Sequence, residues 1–104
     1  MILYNVTTKI LPDVHEEWLQ WMQTVHVVDV MNTGCFQSYR LSRLDKQDEQ
    51  EEEFTYVFQY TAATREDLER YVNDFAPALR DDVLKKYKDK FIAFRTVMEL
   101  VSEG

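Results

Sequence analysis

His26 is one of only two histidines in the chain, and it sits four residues after Met22 and three before Asp29 within WMQTVHVVDVMNTGCF, residues 21–36. On a helix those separations share one surface, so a thioether and a carboxylate both reach the imidazole. A ring oriented by a carboxylate is equipped for general acid–base work, or for hydrogen bonding to a ligand. The competing reading is a structural histidine near a helix C-terminus, where the dipole also favours a charged ring. Trp18, Met22 and His26 fall on one side of the same helix. Together with Tyr39 and Arg40 from the strand that follows, they form the set expected to surround a small apolar ligand. His26 is the candidate for catalysis, and the same residues equally fit a protein that binds without catalysing.

The other reactive side chains call for less. His15 and His26 stand about 16 Å apart along a helix, too far to share a metal ion, and neither a metal nor a cofactor is expected. His15, in the first helical turn beside Glu16, is expected to face solvent. Cys35 is the only cysteine, so an internal disulfide and a multi-thiolate zinc site are both excluded. Just after Gly34 at a strand entrance, it reads as a small buried hydrophobe. Arg40, Arg43 and Arg95 are strand cations for which structural pairing is expected, and Asn5, Gln37 and Gln59 are strand amides able to bond a ligand or one another. With Gly34 and Gly104 the only glycines, no phosphate-cradling loop exists.

The elements that position these residues follow from periodicity. Ile2 to Ile10 is rich in β-branched and aromatic residues, with Ile2, Tyr4 and Val6 on one face, and reads as a strand. Pro12 suits a first helical turn, Asp13, Glu16 and Glu17 suit the positive end of its dipole, and Gly34 supplies a left-handed stop after a helix over residues 12–32. Residues 35–44 and 54–61 read as strands joined by an acidic connector at 45–53. Thr64 caps a second helix whose Leu68, Tyr71, Val72, Phe75 and Leu79 share a side. Pro77 would clash inside a continuous helix, so two helical pieces are expected. Residues 91–101 close the chain as a fourth strand. The order β-α-β-β-α-β predicts an α+β, ferredoxin-like domain over residues 1–104, a four-stranded antiparallel sheet with its helices on one face.

Composition narrows the partners. A net charge of −7 repels phosphate backbones and anionic head groups, so neither nucleic acid nor membrane is expected as a partner. No apolar run approaches the roughly 20 residues needed to cross a bilayer, and a cytoplasmic protein is expected. The strands are apolar or aromatic on both sides, so the sheet face away from the helices needs cover. A homodimer through that face provides it, one patch covering its own copy. The alternative to a ligand-binding protein is a non-enzymatic dimeric interaction module whose acidic 45–53 loop meets a basic partner.

YNVT (4–7), WLQWM (18–22), His26, TGCF (33–36), SYR (38–40), APAL (76–79) and FR (94–95) occur in an order and spacing that span nearly the whole chain. They resemble a family of bacterial proteins of about this length, common in Bacteroidetes and known as a domain of unknown function. More broadly the chain is similar to the dimeric α+β barrel superfamily, which includes cofactor-independent monooxygenases, haem-degrading enzymes and isomerases. The resemblance implies a sheet-to-sheet dimer with a cleft between helices and sheet in each subunit. It implies no activity. A histidine often precedes the Ala-Pro pair in such relatives, where this chain has Phe75, so a two-histidine site would be incomplete here.

Overall fold

The computed structural model describes residues 1–46 and 48–104. Four strands, β1 (Ile2–Ile10), β2 (Ser38–Arg43), β3 (Phe54–Ala62) and β4 (Phe91–Glu99), form one antiparallel sheet in the order β2-β3-β1-β4. This is the expected ferredoxin-like α+β fold. β1 is central because its alternation gives two usable faces. Ile2, Tyr4, Thr8 and Ile10 are buried beneath the helices, and their β3 partners Ala62, Tyr60, Tyr56 and Phe54 lie on the same face. Leu3, Asn5, Thr7 and Lys9 take the other face.

The first helical arm opens with a 3₁₀ turn (Pro12–Val14), continues as α1 (His15–Trp21), widens into a π turn (Met22–His26) and ends as α2 (Val27–Asn32). Gly34, at φ +76°, stops it with its N–H bonded to the Met31 carbonyl at 3.2 Å, the left-handed ending that the sequence implies. The second arm is built alike: α3 (Arg65–Arg70), a π turn (Tyr71–Phe75) and α4 (Ala76–Tyr87). The Thr64 hydroxyl accepts from the Asp67 N–H at 3.2 Å and caps it. Pro77 does divide the helix, as expected, but no loop intervenes. It occupies the first turn of α4, and Phe75 at φ −120° takes up the change of direction.

Strand ends depart from expectation in ways the packing explains. β2 begins at Ser38, not Cys35, because Cys35 and Phe36 are drawn under the second arm. There the Phe36 ring lies 4.8 Å from Tyr71, 5.1 Å from Tyr60 and 6.0 Å from Tyr4. Burying an aromatic ring among three others outweighs two more rungs of an edge ladder. β3 runs one residue further than expected, to Ala62, and β4 stops at Glu99. Trp18, Phe58, Ile10, Val27 and Val30 are the most deeply buried large side chains, placing the core between the first arm and β1–β3. Among the described residues no helix is long and apolar enough to cross a membrane.

The 45–53 connector spends part of its charge internally; Gln47 within it lies outside the described residues. Glu51 pairs with Lys9 at 3.3 Å, and Lys46 donates to the Glu51 carbonyl at 2.9 Å while standing 4.2 Å from the Phe54 ring.

Candidate functional site

A cavity of about 470 Å³ lies between the helical arms and the sheet, on the side towards β4. The arms cover β1 and β3 and leave β4 open: Arg95 and Val97 point to the helical side yet stay exposed. The cavity floor is Tyr4, Val6 and Thr8 of β1, Phe58 and Tyr60 of β3, and Phe91, Ala93 and Arg95 of β4. These are successive same-face positions in a continuous register. Trp18, Met22 and His26 form one wall, and Tyr71, Arg80 and Val83 the other. Leu84, Lys88 and Asp89 surround the mouth. A mostly apolar chamber of this size with a few convergent polar groups suits a small organic molecule.

Both π turns contribute to it. An i→i+5 turn widens the helix and changes the angle between the residues on either side of it. Met22 and His26 are the two ends of one such turn, and Tyr71 begins the other. His15 is not solvent-facing as expected: its Nε2 lies 2.7 Å from the Tyr56 hydroxyl, and its ring stacks on Phe54 at 3.8 Å and 7°. Two aromatic residues of β3 lie within reach of α1's first turn, and apolar cover outweighs hydration of the ring. It has no place in the cavity.

His26 is half-buried against Trp21, with ring centroids 6.0 Å apart. Among the described residues no group hydrogen-bonds its imidazole. Burial holds its pKa below the ordinary histidine value; Asp29 and Asp82 push the other way, and Arg95 pushes down again. Asp29 therefore acts on the ring as its spacing implies but loses to desolvation, and His26 is neutral at pH 7. A neutral imidazole offers one donor and one acceptor. Burial also raises the Tyr60 and Tyr71 pKa values well beyond the ordinary phenol range, so both hydroxyls stay protonated.

Of the five residues expected to surround a ligand, Trp18, Met22 and His26 line the cavity and Tyr39 and Arg40 do not. Tyr39 is 43% exposed on the edge strand β2, separated from the cavity by β3, its ring 6.3 Å from that of the floor residue Tyr60. Arg40 pairs in register with Gln59 and faces the opposite side of the sheet. There Gln59 donates to Asn5 at 3.0 Å, one strand amide satisfying another. Cys35 is buried, 3.4 Å from the Arg70 Nε, and does not line this chamber.

Arg80 is the functional candidate that sequence reasoning missed; Arg95, expected in structural pairing, has no ion pair among the described residues and lines the cavity instead. Arg80 donates to the Tyr4 hydroxyl at 3.0 Å. Neither guanidinium lies within 4.0 Å of a carboxylate among the described residues. A signal for Arg95 exists in its alternation with Phe91 and Ala93, and for Arg80 in its helical spacing to Ala76 and Val83. Neither spacing shows that the two meet over one chamber.

Solved structures share this fold at low identity. HapK from Hahella chejuensis superposes with a TM-score of 0.71 at 10% identity, covering 100% of this chain and 96% of its own. An ethyl tert-butyl ether d (EthD) family protein from Bacillus halodurans gives 0.69 at 12%, covering 96% and 100%. A dimeric ferredoxin-like protein from an uncultured marine organism gives 0.67 at 14%, covering 100% and 98%. No curated protein matches the sequence. The model of the domain of unknown function DUF4286 matches residues 1–101, nearly the entire chain, and the protein belongs to that family.

Proposed function

We propose that the protein is a homodimeric small-molecule-binding protein whose ligand occupies the cleft between helices and sheet, with Trp18 and Met22 as apolar walls and His26 as its hydrogen-bonding residue. The observation that carries this reading is the chamber of about 470 Å³ with a neutral imidazole on its wall that no group among the described residues satisfies. Where a substrate presents an acidic proton there, the same ring is able to accept it. The dimer is supported by the face away from the helices, where Ile92, Phe94 and Met98 are 72, 59 and 43% exposed, and by the dimeric solved relative. A cytoplasmic setting belongs to the same reading and suits a single free thiol.

The test uses N-phenyl-1-naphthylamine, a neutral apolar fluorophore. Saturable binding is expected in the wild type and is lost in Leu84→Trp, which fills the mouth from a residue already 51% exposed and so leaves the core intact. Absence of saturable binding, or binding indifferent to Leu84→Trp, overturns the reading.

A further inference from the structure

The cleft is rich in cations and donors within a chain that is otherwise acidic. The sequence holds 19 acidic and 12 basic residues. Around this chamber the balance reverses: Arg80, Lys88 and Arg95 face a single lining carboxylate, Asp89. Asp29 and Asp82 also act on the cleft, through His26, but do not line it.

The two arginines converge through Tyr4. Arg80 bonds the Tyr4 hydroxyl from α4. Tyr4 and Val6 are successive same-face positions of β1, about 7 Å apart along a strand, and the β4 partner of Val6 is Arg95. Tyr71, whose ring stands 5.8 Å from Tyr4, feels both guanidinium charges. The polar end of the chamber is thus a cluster of tyrosine hydroxyls with two arginines close enough to act on it.

The donors there exceed the acceptors. Two guanidiniums with ten N–H groups between them accept nothing, and Arg80 uses one bond on a neutral hydroxyl. Trp18 lines the same chamber, and its indole Nε1 is the one buried side-chain nitrogen or oxygen without a partner among the described residues. A positively charged, donor-rich end beside an apolar body formed by Trp18, Met22, Phe58 and Val83 is complementary to one kind of molecule. We infer that the cleft is built for an apolar organic acid bound as its anion, its charged group held by Arg80 and Arg95 and its body laid against Trp18, Met22 and Phe58. This rests on the ligand-binding reading above and specifies the ligand's charge. Arginine supplies the planar, bidentate donors that a carboxylate or comparable oxyanion takes.

The experiment compares two probes of nearly the same body: neutral N-phenyl-1-naphthylamine, and 1-anilinonaphthalene-8-sulfonate, which carries one negative charge. Both are titrated into wild type, Arg80→Met and Arg95→Met at fixed ionic strength. Arg95 makes no hydrogen bond or ion pair among the described residues, so its variant keeps the fold even if Arg80→Met loosens Tyr4. The expected result is that Arg95→Met weakens the sulfonate about tenfold or more relative to the neutral probe, one charge-assisted interaction being lost. Neutral binding in the cleft with sulfonate affinity indifferent to both arginines overturns the anion inference alone. Absence of saturable binding of the neutral probe overturns the ligand-binding reading with it.

Discussion

Phe94→Glu is expected to convert the proposed homodimer to a monomer. Phe94 stands mid-strand on the open face, opposite Thr7, whose other neighbour is Val57, and it is 59% exposed in a single subunit. With a side chain of about 150–250 Å² in all, its exposed part is on the order of 100 Å². Covering that area is worth roughly 2–3 kcal/mol at about 25 cal/mol per Å². A twofold interface counts the residue twice, so about 5 kcal/mol of association rests on this position. Losing it weakens Kd by more than a thousandfold, on the order of 10³ to 10⁴, and two carboxylates placed face to face add repulsion. Light scattering coupled to gel filtration, with native mass spectrometry at micromolar protein, reads the outcome directly. Because the ring is exposed in the subunit, the circular dichroism spectrum should be unchanged. A variant that still dimerises with the wild-type Kd, or a wild type that is itself monomeric, refutes the reasoning.

Two further outcomes concern stability. His15 and His26 both have folded-state pKa values held below the ordinary histidine value, burial being the first cause in each. The unfolded chain therefore takes up protons first as the pH falls below about 6.5, and stability present above that value is lost on acidification. Melting temperature should fall between pH 7.5 and 5.5 in the wild type and fall less in His15→Gln/His26→Gln; coincident slopes would exclude the histidines as the cause. Asp89, at φ +66° between Lys88 and a Lys90 N–H bonded to the Tyr87 carbonyl at 3.0 Å, holds the left-handed position of a turn that favours glycine. Asp89→Gly should gain about 1 kcal/mol, about 4–8 °C in Tm, and should tighten the anionic probe by removing the one lining carboxylate among the described residues. A lower Tm shows that the aspartate side chain stabilises the turn more than its backbone strains it.

The order of elements was legible because its punctuation is local. Gly34, Thr64 and Pro77 act on their own turns, and the alternation of β1 and β3 survives in three dimensions. The site was legible only in part. Trp18, Met22 and His26 share a helix side whatever the rest of the chain does. Tyr39 and Arg40 needed the strand order, since β2 lies at the edge with β3 between it and the chamber. The contacts of His15 needed the register of β3, which brings Phe54 and Tyr56 under α1. Arg80 and Arg95 line one chamber only because α4 packs over β1 while β4 pairs beside it, a relation carried by tertiary packing rather than by spacing. The net effect on His26 likewise turns on how deeply the ring is covered, and no neighbour in sequence reports that.

Each π turn holds one residue more than an α turn would, and this makes the two arms unequal along their length in what they tolerate. Removing a residue from Met22–His26 tightens the turn to α geometry and leaves α1 and α2 facing the sheet as before. Removing one within α1 or α2 rotates everything beyond it by about 100° and turns Val27 and Val30 away from the core. The same holds for Tyr71–Phe75 against α3 and α4. Single-residue changes in length are thus absorbed where the chain borders the cleft, so this architecture is free to diversify in the width of its chamber while its sheet and its core stay fixed.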